Sequence, residues 1–502
     1  MNAMQTTTYN TRLIARVTIE AATPLAIGSG KKSILTDATI NRDANDLPFI
    51  PGTTLAGLIR HAIDKELAER LMGFIKKKND KKDEYEVEGS HLIVTEAKLL
   101  NRKGKAIDGL LNLETACDDE DKAFLDGFKH APIRQHAKIN HRGVTEDKGK
   151  FDEEVVPKGA RFCFEMELMA NPKSEEELAE YKQDFKELLR KLRADGFRVG
   201  GKSRNGFGKI EVVGDACLYR ELDLSQPADL DLYLKKRASL AETWDGFEPL
   251  ELEKPQESRY TRYKLEITPK DFLFFGSGFG NEDVDHSYIK ERFIKWNKEG
   301  NIGRWHSHDH SLVVPASSVK GALAHRTAFH FNKLAERFAD EMPTEELANH
   351  SGKHNEAVCA LFGSEGNDDK YESNKKENAT ERCDGKRRGH VLFADIIKLK
   401  NKKTDKKIHN HVKIDRFTGG AIEGALFDEE ALLVHPEEPE KLVLELLVDV
   451  DERINEDQRI ILAFEEALKD VCKGLLPLGG NVNKGYGQFE GKLLKDGDCI
   501  YE

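Results

Sequence analysis

The chain carries one set of motifs twice, in the same order, and this duplication narrows its possible folds more than any other feature. Ile27-Gly28-Ser29-Gly30 recurs as Phe275-Gly276-Ser277-Gly278, with Asp37 and Asp285 following at the same distance. Pro51-Gly52-Thr53-Thr54 recurs as Pro315-Ala316-Ser317-Ser318, and His91 with Glu96 recurs as His390 with Asp395. His136-Ala137-Lys138-Ile139-Asn140 matches His411-Val412-Lys413-Ile414-Asp415, and Phe151-Asp152-Glu153-Glu154 matches Phe427-Asp428-Glu429-Glu430. Gly200-Gly201 before Gly206-Phe207-Gly208 matches Gly479-Gly480 before Gly485-Tyr486-Gly487. Such a unit is far longer than the roughly 20–50 residues of a solenoid repeat. It reads as a duplicated domain: residues 1–221, a linker at 222–258, and residues 259–502. A chain of 502 residues is also too long for a single core.

Periodicity gives each half the same elements. Leu13, Ala15, Val17 and Ile19 alternate, as do Phe162, Phe164, Met166 and Leu168, which is the pattern of half-buried strands. A helix follows Pro51, with Thr53 or Thr54 as its cap and Leu55, Leu58, Ile59, Ala62 and Ile63 on one face. A strand is expected near His91 to Leu100, then a long polar excursion to Lys158. Ser174 and Glu177 form a capping box for a second helix stopped by Gly196, and a last strand holds Ile210 and Val212. The second half repeats this with strands at Tyr263–Ile267 and Leu442–Val448. Its first helix starts at Ser317 or Ser318, and its second is capped by Asn455 with Gln458 and stopped by Gly474. The order β-α-β-β-α-β predicts an α+β chain of two tandem ferredoxin-like domains, the arrangement of RNA-recognition folds. The segment 367–388 is a highly charged insertion.

Composition sets limits on function. Net charge is −12, unfavourable for a protein that holds phosphates. The basic residues are nevertheless concentrated at equivalent places, Lys129–Lys150 and Lys398–Arg416. No apolar run approaches the ~20 residues of a membrane span, and Met1–Asn10 has no apolar leader. Seven cysteines without a Cys-x-x-Cys pair point to a cytoplasmic protein without a disulfide framework.

The glycine loops fall between the second helix and the last strand of each half. Consecutive N–H groups there can cradle a phosphate, so Gly200, Gly201, Lys202 and Arg204, with Gly479, Gly480 and Lys484, are candidate RNA contacts. Gly196 to Ser203 also satisfies the pattern G-x-x-x-x-G-K-S. A helix precedes it and a strand follows, the reverse of a P-loop, so no nucleotide site is expected from the pattern. His306, His308 and His310 with Asp309 lie in an insertion of the second half, in no defensible metal spacing, and read as a solvated loop. His350, His354 and Cys359 offer only a weak zinc reading.

These motifs resemble the RAMP superfamily of type III CRISPR systems over nearly the whole chain, twice. The glycine loop near the end of each half is that superfamily's hallmark. Ile27–Arg60 and His411–Glu430 look like the repeating backbone subunit of type III effectors, and two such units in one chain resemble the fused tandem protein of type III-D variants. The resemblance implies a subunit that winds along a guide RNA. A β-hairpin thumb before each Phe-Asp-Glu-Glu motif would wedge between bases of the guide–target duplex. It also implies Mg²⁺- or Mn²⁺-dependent cleavage of target RNA at an Asp matching Asp37 and Asp285, with Asp283 a neighbouring competitor. The family's helix-start lysine is Lys320 here, and Ala56 in the first half. Arg42, and the pairs His136 with Lys138 and His411 with Lys413, would contact RNA. The implied partners are guide RNA, target RNA, further RAMP proteins and the large polymerase-like subunit. A non-catalytic scaffold and a guide-processing endonuclease are the alternatives.

Overall fold

In the computed structural model the residues described are 9–33, 36–77, 85–112, 117–140, 143–255, 258–343, 347, 350–365 and 386–502. The charged insertion at 367–388 therefore lies largely outside the described residues. The alternating segments form strands that pair with each other. Thr11–Ala21 runs antiparallel to Arg161–Ala170, setting Leu13 opposite Leu168, Ala15 opposite Met166 and Val17 opposite Phe164. These side chains are fully buried, as a period of two requires of a sheet covered on one face. Ala216–Asp223 and Ile210–Val212 flank the first strand on its other side. Leu92–Val94 and Lys98–Leu99 lie beyond Arg161–Ala170.

The second half builds the same order. Tyr260–Pro269 is central, between Leu442–Asp449 and Phe489–Lys495, with Val391–Leu392 beyond the former. In each half, numbered by its own strands, the sheet reads 4-1-3-2. This is the ferredoxin-like arrangement, with Glu175–Lys191 and Gln458–Cys472 as the second helices. Each half has its own apolar cluster.

Several local details differ from expectation. The first helices begin at Gly52 and Ala316, capped by Pro51 and Pro315 without a side-chain bond, so the hydroxyls of Thr53, Thr54, Ser317 and Ser318 are not the caps. A Cβ at Gly52 would lie 2.4 Å from the Val94 carbonyl, so the helix start lies hard against the neighbouring strand. Asp457, not Asn455, caps Gln458–Cys472. The first excursion contains a helix, Asp119–Lys129, capped by Asp118. Within the stretch expected as a linker, Pro227–Lys235 is helical and Glu248–Glu251 joins the edge of the first sheet.

The two halves meet through the Asp119–Lys129 helix and the second half's insertion. The insertion was expected as a solvated loop and is a hairpin, Phe293–Trp296 with Gly303–His306. Trp305 donates to the Phe124 carbonyl at 2.9 Å and packs edge-on against Phe128. Trp296 donates to the Gly159 carbonyl at 2.9 Å beneath the Arg161 guanidinium. Beside this clasp Arg134 is buried with 3 % of its side chain exposed, donating to Glu291 at 2.5 Å and Asp395 at 2.5 Å. Burial opposes its charge, but the two carboxylates outweigh it and hold the guanidinium protonated.

Arg134→Met should leave two buried carboxylates uncompensated and cost about 3–5 kcal/mol. Calorimetry of the full chain should show a lower, broader transition as the halves uncouple. Adding Glu291→Gln and Asp395→Asn should recover part of the loss.

Candidate functional site

The Phe-Asp-Glu-Glu motif sits on the returning strand of a long hairpin in each half: Ile133–Ile139 with Thr145–Glu154, and Asp405–Ile414 with Ala421–Leu433. Each residue of the motif has its own partner, and the partners correspond. The Asp152 N–H donates to Asp37 Oδ2 at 3.3 Å, and the Asp37 N–H donates back to Asp152 Oδ1 at 2.8 Å. The Asp428 N–H donates to Asp285 Oδ2 at 3.0 Å. Asp285, not Asp283, thus occupies the place of Asp37. Asp283 lies instead in the turn closed by the Asn281 side chain. The glycine turns that deliver these carboxylates close alike, with Ser29 N–H on the Thr39 carbonyl and Ser277 N–H on the Ser287 carbonyl, both at 2.9 Å.

The first Glu of each motif faces the glycine loop. Glu153 lies 2.7 Å from His136 and 2.8 Å from Lys202. Glu429 accepts from Asn481 and lies 3.8 Å from His411. Burial alone would raise the Glu153 pKa, but the close approach of His136 and Lys202 holds it below its ordinary value. The Phe of each motif packs against the histidine, Phe151 on His136 and Phe427 on His411. It also carries the loop's cation, Lys202 over Phe151 and Lys484 over Phe427. The last Glu pairs with the base behind the Asp loop, Glu154 with Arg42 and Glu430 with Lys290 at 2.6 Å. In both halves the His136/Glu153 and His411/Glu429 pairs leave a buried Nε2 and Oε1 without an aligned hydrogen bond.

The structure therefore gathers Asp37, Arg42, His136 and Lys202 at one hairpin base, and Asp285, His411 and Lys484 at the other. Arg42 is committed to Glu154 and to the carbonyls of Asp46 and Phe128. Lys138 lies on its hairpin 3.4 Å from Glu146, and Lys413 is exposed on the other. Arg204 and Lys320 lie elsewhere, between the halves. Arg204 donates to the Gly389 carbonyl at 2.7 Å, and Lys320 to Asn205 at 3.0 Å. Burial, with Arg204 nearby, brings the Lys320 pKa down to about 8.

The glycines have a backbone explanation. The Gly201 N–H donates to the Ala26 carbonyl and the Gly480 N–H to the Phe274 carbonyl, both at 2.7 Å, so neither is available to a phosphate. Gly200 and Gly479 have φ of +87° and +104°, and a Cβ there would lie 2.6 Å and 2.5 Å from those carbonyls.

The described residues contain no cluster of three His, Cys, Asp or Glu side chains fit to hold a metal. His306 stacks on Phe293, Asp309 pairs with Lys406 at 3.1 Å, and His350 faces Arg337 and Glu356. Cys359 is disulfide-bonded, where no disulfide was expected, and so has no thiolate to give zinc. Cys117, Cys163, Cys217, Cys472 and Cys499 are free thiols. No helix among the described residues is long and apolar enough to cross a membrane. Sequence reasoning missed Arg134. The offset from His136 was available as a signal, but its equivalent in the second half is His409, so the duplication concealed it.

A ferredoxin-like sheet with a glycine loop before its last strand and a long hairpin at its side is an arrangement met among RNA-recognition proteins. Within that class the family is specific: the RAMP superfamily model matches residues 18–211 and 266–490. The chain belongs to the RAMP superfamily and is a CRISPR-associated, RNA-binding subunit. No curated protein matches it.

Gly200→Ala should cost about 1–3 kcal/mol, from positive φ and a backbone clash. Gly201→Ala, whose nearest contact would be 3.6 Å, should unfold like wild type. Denaturant titration of the two variants checks this. Lys320→Met removes a buried cation that has no carboxylate partner among the described residues. Because the folded pKa is depressed, wild-type stability rises as pH climbs through about 8. The variant should therefore melt at or above the wild-type temperature at pH 7, with the gain shrinking by pH 9.

Proposed function

We propose that the chain is a guide-RNA-binding backbone subunit of a type III CRISPR ribonucleoprotein that cuts guide-matched target RNA at two steps. Its two RAMP domains are residues 1–221 and 259–502, connected through 222–258. The observation that carries this reading is the equivalence of Asp37 and Asp285. Each is an exposed carboxylate fixed by the amide of the motif Asp at the base of a hairpin.

The hairpins act as thumbs. Ile133, Ile139 and Val144 on the first, and Ile408, Val412, Ile414 and Leu426 on the second, are exposed, and Phe417 near the second tip is 86 % exposed. Apolar side chains on a charged ribbon call for a partner surface, and unstacked bases supply one. Lys407 and Lys413 alongside would meet the phosphates.

The wedge splays one nucleotide so that O2′ lines up with the adjacent P–O5′ bond. O2′ attacks phosphorus, the P–O5′ bond breaks, and a 2′,3′-cyclic phosphate and a 5′-OH result. Alignment makes the larger contribution. Asp37, or Asp285 at the second step, accepts the 2′ proton, and water supplies the proton taken up by the departing O5′. The donor set fits a divalent ion completed by substrate, since Asp37 with Asp152, and Asp285 with Asp428, set an exposed carboxylate beside a half-buried one. Mg²⁺ or Mn²⁺ bound there supplies charge stabilisation to the phosphorane.

The contact between the halves supports further RAMP proteins as partners. Arg134 is seated on Glu291 and Asp395, whose counterparts in the first half are Asp43 and Glu96. Glu96 is 47 % exposed and paired with Lys98. That seat suits a hairpin arginine from another subunit. The second hairpin offers His409, bonded to Tyr486, in the place of Arg134, so the incoming arginine belongs to a different RAMP protein.

In the assembled complex, Asp37→Asn should abolish one cut and Asp285→Asn another, each by roughly 10²–10⁴ in rate, with target binding within about twofold because backbone contacts dominate it. Sequencing-gel mapping of end-labelled target reads this out. If both cuts persist in the double variant, the chain is a scaffold. Glu96→Lys should weaken co-purification of the neighbouring RAMP subunit while leaving the isolated chain's melting temperature unchanged.

A further inference from the structure

Between the halves lies a cavity of about 820 Å³, away from the hairpin bases and within the range of small-molecule sites. Seven of its lining residues are Lys or Arg and one, Asp195, is acidic. Asp195 is already paired with Arg262. Three of the cations are neutralised: Lys191 by Glu187, Arg193 by Asp215 and Arg259 by Asp449.

Arg198, Arg204 and Arg388 are not. Among the described residues no carboxylate lies within ion-pair distance of any of them, and their hydrogen bonds go to neutral oxygens. Arg198 donates to the carbonyls of Asp195 and Phe197 at 2.7 and 3.0 Å, Arg204 to that of Gly389, and Arg388 to the Ser203 hydroxyl at 3.0 Å. Arg198 is only 7 % exposed, and its Nε is buried with no hydrogen-bond partner. Burial depresses the Arg198 and Arg204 pKa values to about 10, and Arg388 adds to the shift at Arg204. A cation withdrawn from water without a counter-charge, as Arg198 is, is costly unless something pairs it.

We propose that this cavity binds a nucleotide-sized anion bearing two or more phosphates, held by the guanidiniums of Arg198, Arg204 and Arg388. Guanidinium forks match phosphate oxygens two at a time, which suits a chain of phosphates better than a single carboxylate. The glycine loop divides between two tasks, with Lys202 on the hairpin side against Glu153 and Arg204 on the cavity side. The Gly196–Ser203 pattern plays no P-loop part, because Lys202 turns away from the cavity. Arg204 and Arg388 come from different halves, so an occupant would bind the halves together and stabilise the fold by mass action. The phosphates can come from a free nucleotide or from the end of an RNA strand. The proposal does not depend on the cleavage reading.

The test uses the full chain, freed of RNA by nuclease and high salt, with ATP, pyrophosphate and a 5′-triphosphorylated octanucleotide RNA as probes. Sodium chloride at matched ionic strength is the control. Calorimetric titration should give saturable binding, and the melting temperature should rise with at least one probe and not with chloride. Arg388→Ser, an exposed position, should weaken that binding at least tenfold, whereas Lys407→Glu with Lys413→Glu should leave ATP and pyrophosphate binding unchanged. Arg198→Met should melt at or above the ligand-free wild type and lose the ligand-induced rise. Binding of ATP or pyrophosphate assigns a free nucleotide, and binding of the RNA end alone assigns the strand. No saturable binding of any probe, or binding indifferent to both Arg388→Ser and Arg198→Met in folded protein, would overturn the proposal.

Discussion

The bridge from Arg134 to Glu291 and Asp395 is the constraint on which the rest of the molecule depends. Asp395 gives one carboxylate oxygen to Arg134 and the other to the Ala316 N–H at 2.8 Å, where the second half's first helix starts. Its own N–H donates to the Gly206 carbonyl in the first glycine loop. One buried residue therefore fixes a hairpin, a helix start and a glycine loop from two halves in a single geometry. A buried ion pair adds little net stability, because desolvation offsets attraction. What it enforces is register, since any displacement leaves a charge unpaired in a dry place. The Trp296 and Trp305 clasp supplies the apolar area that the bridge does not.

That bridge makes the two copies inequivalent. The first glycine loop is covered by the second half, with Ser203, Arg204, Asn205 and Gly206 all bonded across the junction. The second loop carries Lys484 exposed over Phe427. The same motif thus performs one structural and one surface-facing task. This also accounts for an acidic chain holding RNA. Several of the basic residues named from sequence, Arg42 and Lys202 among them, are paired with carboxylates inside the protein, while Lys407 and Lys413 stand exposed on the second hairpin.

The strands were legible because their alternation has the period of the pleat, and the second helices because of the Ser174 cap in one half and the Gly474 stop in the other, although Asn455 is not a cap and the first of them ends at Lys191, short of Gly196. The starts of the first helices were misplaced by one to three residues because a proline ahead of a helix can set its first turn without a side-chain cap. The Asp119–Lys129 helix was missed because its acidic first turn hid an apolar face, Phe124, Leu125 and Phe128, whose partner is Trp305 of the other half. Asp37 and Asp285 were found by spacing alone, and their bonds to Asp152 and Asp428 explain why the spacing is kept.

By itself the sequence determined the duplication, the order of the main strands and helices, and the superfamily, all of which follow from short-range pattern repeated twice. Only the tertiary structure decided which basic residues face outward, that Arg42, Lys202, Arg204 and Lys320 are engaged internally, and that three guanidiniums share a cavity without a counter-charge. Burial and charge pairing depend on residues far apart in the chain, and two copies of one pattern cannot reveal how the copies lie against each other.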